Sequence, residues 1–160
     1  MMPNHSAKAI ANEFLKRRAS PFFPAQMQLQ KLVYIAHGWN LAINGEPLVL
    51  EPAQAWDNGP VYRSIWNHIR DFGYGPNCTL VDQNSKDEIS ESLSVQETAV
   101  VDHVWGKYGD LSASELSNRT HEPNSPWSEA YFSRGRNANL NNEIIKKYYI
   151  ELALAGRHKQ

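Results

Sequence analysis

The amino-acid sequence predicts a mainly α fold, a compact single-domain helical bundle of five to seven helices with a small β-hairpin or ribbon near residues 47–57. Three observations carry that prediction. Apolar residues recur at i, i+3, i+4 and i+7 in segment after segment. Helix-start signatures, two of the form Ser-x-x-Glu and one Ser-Pro, stand in front of such segments. Glycine or proline marks the start or end of several of the segments, as at Pro24, Gly45, Gly73, Gly109 and Pro126. At 160 residues the chain suits one domain, because a second core would leave each half marginal.

Ala7, Ile10, Ala11, Phe14 and Leu15 share one helical face, with Lys8, Asn12, Glu13, Lys16 and Arg17 opposite and Ser6 as N-cap. Ser20-Pro21-Phe22-Phe23-Pro24 then breaks the chain, since proline donates no N–H and restricts its predecessor. A second helix from Ala25 to Asn44 carries Leu29, Leu32, Ala36, Trp39 and Ile43 on one side and Met27, Tyr34 and Leu41 on another. Apolar residues on several faces imply a central helix, and Asn44-Gly45 supplies its left-handed stop.

Leu48 to Leu50 and Ala53 to Trp56 read as two short extended pieces. Gly59-Pro60 is read as opening a third helix with the stripe Val61, Ile65, Ile69 and Phe72, ended by Gly73. From Asp82 to Ser92 only Ile89 is apolar, so residues 82–92 are expected to form an exposed, mobile loop. Ser94 with Glu97, and Ser112 with Glu115, are capping boxes, the second flanked by a Leu111–Leu116 staple. Val101, Val104, Trp105 and Tyr108 form the stripe behind the first box, and a short helix to Asn118 follows the second. Ser125-Pro126 starts a helix through Trp127 and Tyr131 that gives way to a loop of little order from Ser133 to Asn139. Ile145, Tyr148, Tyr149 and Leu152 form a last stripe, closed by Gly156.

With 16 Lys and Arg against 17 Asp and Glu, the charge balance lends nucleic acid no support as principal partner. The single Cys78 can form neither an internal disulfide nor a thiolate metal cage, which suits a reducing cytoplasmic setting. Met1 to Lys8 lacks a signal-type apolar run, and no stretch has the roughly 18 apolar residues a membrane span needs, so no membrane partner is expected. The histidines, among them His37, His68, His103 and His121, fall on different segments without H-x-x-x-H spacing. Neither a G-x-S-x-G elbow nor a phosphate-loop glycine pattern occurs. No catalytic set, metal or cofactor is therefore expected.

More distinctive are the aromatic and polar combinations Leu29-Gln30-Lys31-Leu32-Val33-Tyr34-Ile35-Ala36-His37-Gly38-Trp39, then Gln54-Ala55-Trp56 through Gly59-Pro60-Val61, and Leu116-Ser117 through Thr120-His121 to Pro126-Trp127. Together they resemble the Panacea domain, a family that includes phage-associated and SocA-like antitoxins. The likeness runs from about 26 to 127, with a weaker echo to 155. It implies an antitoxin that neutralises a cognate protein toxin, encoded by an adjacent gene, through direct protein–protein contact. Alternatives are an adaptor delivering a toxin to a protease and an enzyme using a pocket of histidine and aromatic groups. The matching residues Lys31, Tyr34, His37, Trp39, Trp56, Gly59, Pro60, His121, Pro126 and Trp127 are expected to hold the shared fold or surface. Partner choice is expected in the variable loops, at Asp82, Lys86 and Glu88 and at Arg134 and Arg136.

Overall fold

A computed structural model describes residues 5–18 and 26–158. Among them the chain forms α1 (Ala7–Arg17), α2 (Gln26–Asn44), β1 (Gln54–Trp56), β2 (Gly59–Val61), α3 (Arg63–Phe72), α4 (Val95–Tyr108), α5 (Ala113–Thr120), α6 (Pro126–Arg134) and α7 (Asn142–His158). The fold is thus mainly α with one small antiparallel hairpin, as the helical stripes predict. The Pro-rich break at 20–24 lies outside the described residues. No helix of the described chain is long and apolar enough to cross a membrane.

α2 is the axis of the bundle. Every residue from Leu29 to Leu41 is buried, because α1, α3, α4, α5, α7 and β2 all pack on it. Ile43 departs from the expected stripe: it stands 58% exposed. Gly45, at φ 75°, ends the helix in a conformation that a Cβ disfavours, and its N–H closes on the Leu41 carbonyl.

The caps are local and form as expected. Ser6 accepts from the Ala9 N–H. Ser94–Glu97 and Ser112–Glu115 both close reciprocal boxes, and Ser125 caps α6 with Pro126 in its first turn. Leu116 is buried and Leu111 packs half-buried against the same core.

The expected ribbon is displaced. The strands pair Gln54 with Val61, Ala55 with Pro60 and Trp56 with Gly59, so Gly59-Pro60 lies in β2 and does not open α3. Long-range bonds decide this: the Gln30 amide donates to the Tyr62 carbonyl and accepts from the Tyr62 N–H, at 3.1 and 2.8 Å, holding the chain extended until Arg63. Leu48 and Val49 instead lie beside His5, whose N–H donates to the Leu48 carbonyl and whose carbonyl accepts from Leu50. Phe72 ends its stripe 55% exposed. α5 runs on to Thr120, and α7 continues through Gly156 instead of stopping there.

His5 closes the N-terminal side. Its Nδ1 and Nε2 meet Glu91 and Glu97 carboxylates at 2.9 and 3.0 Å. Burial opposes the charged ring, but these carboxylate bonds outweigh it and raise its pKa. That contribution is fully present below the ordinary value of 6.5 and fades as pH rises through the elevated one.

Asn12, placed by its spacing on the polar face of α1, is fully buried. Its amide donates to the Leu80 and Ile89 carbonyls at 2.9 and 2.6 Å and accepts from the Leu80 N–H at 2.7 Å. One side chain thus ties both ends of the 81–88 turn to α1. Asn12→Ala should lower stability by about 2 kcal/mol, because the Leu80 N–H and the Ile89 carbonyl lose this partner while the Leu80 carbonyl keeps only the Ile89 N–H. Urea unfolding would read this, together with faster amide exchange at Leu80 and Ile89; an unshifted midpoint would contradict it.

Candidate functional site

The matching residues of the sequence separate into an interior group and a surface group. In the interior, the His37 ring is buried with both nitrogens engaged. Nδ1 accepts from the Leu48 and Val49 N–H groups at 3.3 and 3.1 Å, and Nε2–H donates to Asn142 Oδ1 at 2.9 Å. Burial pushes its pKa down, so the ring is neutral. It joins α2, the 48–49 segment and the start of α7, and no proton site is left for substrate.

Tyr34 is buried, its phenol pushed up by desolvation, and it meets Tyr149 edge-on. Trp39 donates to the Tyr108 hydroxyl at 3.2 Å. Gly38 lies under the Tyr149 ring, where a Cβ would collide with it. Lys31 is also sealed from solvent. Its Nζ donates to the Pro60 carbonyl at 3.0 Å, and burial lowers its pKa to about 7. The lysine stem runs past Gly59, at φ 118°, where a Cβ would sit 2.8 Å from Lys31 Cε. Gly59 and Pro60 therefore cover Lys31, and this amine is a post of the hairpin.

The surface group gathers around the hairpin turn. Trp127 Nε1–H donates to the Trp56 carbonyl at 2.6 Å, fastening α6 to β1. Its ring stacks on Tyr131 at 4.6 Å and meets His121 edge-on at 5.2 Å. His121 Nδ1–H donates to the Ser117 carbonyl. At the turn, Asp57 accepts from Tyr131 Oη at 2.7 Å and from Arg136 Nη2 at 3.0 Å, with Arg136 Nε ion-paired to it at 2.9 Å. Trp56 packs edge-on against Trp66 at 5.1 Å, with the Arg63 guanidinium 5.4 Å from its ring centroid. Between these groups opens a cavity of ≈ 390 Å³ lined by Met27, Trp56, Asp57, Trp66, Arg136 and others.

Residues 133–139 depart from expectation. Ser133 and Arg134 still belong to α6, and the segment beyond Gly135 is bonded to β1. Asn137 N–H donates to the Ala55 carbonyl at 2.7 Å, Ala55 N–H to Ala138 at 2.9 Å, and Leu140 N–H to Ala53 at 2.8 Å. It turns through Asn137, at φ 65°, and meets β1 in an isolated bridge between Asn139 and Gln54, with every polar backbone group named here satisfied. Arg134 pairs with Glu129 at 3.0 Å, and Arg136 projects at the cavity rim.

Asp82, Lys86 and Glu88 belong to a different region, the turn held by Asn12. Asp82 caps the Asn84 and Ser85 N–H groups, both at 2.9 Å. Lys86 adopts φ 66° at the tip, and Glu88 accepts from Thr79 Oγ1 at 3.1 Å. All three side chains are exposed. The two sets of candidate partner residues thus stand in separate regions, one on the turn held by α1 and the other at the end of α6 and the segment bonded to β1.

Sequence reading overlooked Arg63, Trp66 and Met27. Arg63 and Trp66 stand at i and i+3 on the outer side of α3, a spacing that could have marked them. Met27 carried no such signal. Among the described residues no group of three or more His, Cys, Asp and Glu converges to hold a metal ion.

A family model described as the antitoxin SocA-like Panacea domain matches residues 29–128. That span begins in α2 and ends in α6, so it takes in both the buried group and the hairpin surface. Antitoxin SocA of Caulobacter vibrioides (strain NA1000 / CB15N) is 29% identical over 150 residues, an alignment covering 88% of this chain and 78% of that protein. No solved structure matches.

Proposed function

Because the chain belongs to the SocA-like antitoxin family that bears the Panacea domain, we propose that it neutralises a cognate toxin by direct binding through the hairpin edge. The observation that carries this reading is the cavity of ≈ 390 Å³ walled by Trp56, Trp66 and Met27. Tryptophan and arginine are enriched in interface hot spots, the one through its large apolar ring and the other through its planar five-donor fork. Here both residue types stand on an edge already braced by Trp127, Tyr131 and Asp57. The turn bearing Asp82, Lys86 and Glu88 adds a second region of contact that tunes partner choice.

The chain acts without catalysis in this reading, as one cytoplasmic domain of residues 1–160 with no cofactor and a toxin encoded by the adjacent gene. In its support, His37 and Lys31, two family-matching groups that are buried with lowered pKa, are both committed to holding backbone.

Co-expression with the adjacent gene's product tests this. The intact chain should restore growth and co-purify with the toxin. Trp66→Ala and Arg136→Ala should each weaken the complex by about 2 kcal/mol, roughly thirtyfold, while the melting temperature of Arg136→Ala stays unchanged. Unaltered affinity in both would sink the hairpin edge as the docking site. A toxin level that falls without a stable complex would replace sequestration by delivery to a protease.

A further inference from the structure

We propose that His5 is a pH-operated clasp: doubly protonated, it locks the segment entering α1 to the stretch before α4, and on losing one proton it lets go of Glu91 while keeping Glu97. The clasp is a property of the folded chain and stands apart from the toxin-binding reading.

Three segments meet at this ring. The His5 backbone is bridged to Val49, its N–H on the Leu48 carbonyl and its carbonyl on the Leu50 N–H, so the side chain springs from a fixed origin. From there Nδ1 meets Glu91 Oε1 at 2.9 Å and Nε2 meets Glu97 Oε1 at 3.0 Å. A neutral imidazole carries a single N–H, so it donates to one of these oxygens and turns a lone pair on the other. Neither carboxyl supplies the missing proton. Burial opposes their ionisation, but the Ser6 N–H on Glu91, the Ser94 N–H on Glu97 and the His5 ring on both outweigh it and hold each pKa below the ordinary value. Two carboxylates on two ring nitrogens therefore call for the imidazolium. Every charge acting on the ring is negative, Glu97 from α4 and Glu91 from the stretch before it. Glu51, the acid of the 48–51 segment, is occupied by the Ala7 N–H and the Ser64 hydroxyl at 2.9 and 2.7 Å, and Lys8 of α1 acts on His68 instead.

The two halves of the clasp are unequal. The Glu97 side chain is 8% exposed, and its Oε1 also closes the α4 box by accepting from the Ser94 N–H at 2.8 Å. The Glu91 side chain is 38% exposed. A carboxylate deprived of its donor is penalised far more where water cannot reach it, so the last ring proton stays on Nε2. The lone pair on Nδ1 then faces Glu91 Oε1 and repels it. Glu91 takes its second oxygen away as well, the one that accepts from the Ser6 N–H at 3.1 Å. What comes free is the stretch 90–93, bounded by Ile89, bonded to Leu80 and Asn12, and by Ser94 in its capping box. α1 keeps its own cap, because the Ala9 N–H donates to Ser6 Oγ and not to Glu91.

The test follows the full-length isotope-labelled chain by NMR from about pH 5 to about pH 9, the range in which a histidine titrates. Ring-nitrogen shifts of His5 should show both nitrogens protonated at low pH, a midpoint above the ordinary 6.5, and Nε2–H alone beyond it. Across that midpoint, exchange of the Ser6 amide, corrected for its intrinsic pH dependence, should quicken by at least about tenfold, since a bond to a charged acceptor is lost; exchange of the Ser94 amide should show no such step. In Glu91→Gln, altered at an exposed side chain, the amide can offer either its oxygen or its NH2 to Nδ1, so the midpoint should fall and the Ser6 step should vanish. A midpoint at or below 6.5 in the unaltered chain, an Nδ1–H ring above the midpoint, or a Ser6 step undiminished in Glu91→Gln would each overturn the proposal.

Discussion

Raising the pH from 7 to about 9.5 should stabilise the chain by about 3 kcal/mol relative to a Lys31→Met variant carried through the same change. Lys31 has its pKa lowered from 10.5 to about 7 by burial. Between those values the unfolded chain holds the proton and the folded chain releases it, so stability climbs with pH. Each unit in that window contributes about 1.4 kcal/mol, and half-protonation at the start trims the sum. Below pH 7 both states are protonated and the native state bears the full penalty of an enclosed charge. The fading His5 contribution runs the opposite way in the same window, but it is common to both chains and cancels. Above pH 10 the buried phenols of Tyr34, Tyr62 and Tyr149, all pushed upward, lower the stability of both chains alike because the unfolded state ionises first. Urea midpoints for both chains at the two pH values provide the measurement. Parallel pH dependences would mean that Lys31 keeps its proton when folded.

Gly38→Ala should destabilise by about 3 kcal/mol or more. The added methyl has nowhere to go: Cε2, Cδ2 and Cζ of Tyr149 occupy the space, and that ring is confined by Tyr34 and Trp39, at 6.4 and 5.1 Å between centroids. Overpacking of this kind strains rotamers and shifts backbone, and here it pries α7 from α2. Gly45→Ala is the control. Gly45 has φ 75° and open space around it, so its substitution reports only backbone strain, about 1 kcal/mol. Thermal melts of the two variants should therefore differ severalfold in their shifts. Equal shifts would show that Tyr149 yields easily.

What could be read from the sequence was whatever closes within a few residues. Both Ser-x-x-Glu boxes formed, because each needs only a residue and its neighbour three positions on. The central helix was legible for a related reason: a stripe on every face leaves no side for solvent. Pro60 was misread because a Gly-Pro pair fits the first turn of a helix as well as a strand. The choice fell to Gln30 and Lys31, 32 and 29 residues distant along the chain from their partners. Asn12 was assigned to the surface for want of any local sign that Leu80, 68 residues away, would meet it. Trp56 and Trp127 were singled out in advance. Their mutual bond, across 71 residues, and the cavity beside Trp66 belong to tertiary structure that no spacing encodes.

The bonding of residues 137–140 to β1 bears on kinetics. A rim that is already in place spares an incoming molecule the wait for a loop to order. Encounter with the Arg136 edge should then proceed at the pace of rigid-body association, with substitutions there showing up as shorter residence times rather than slower capture.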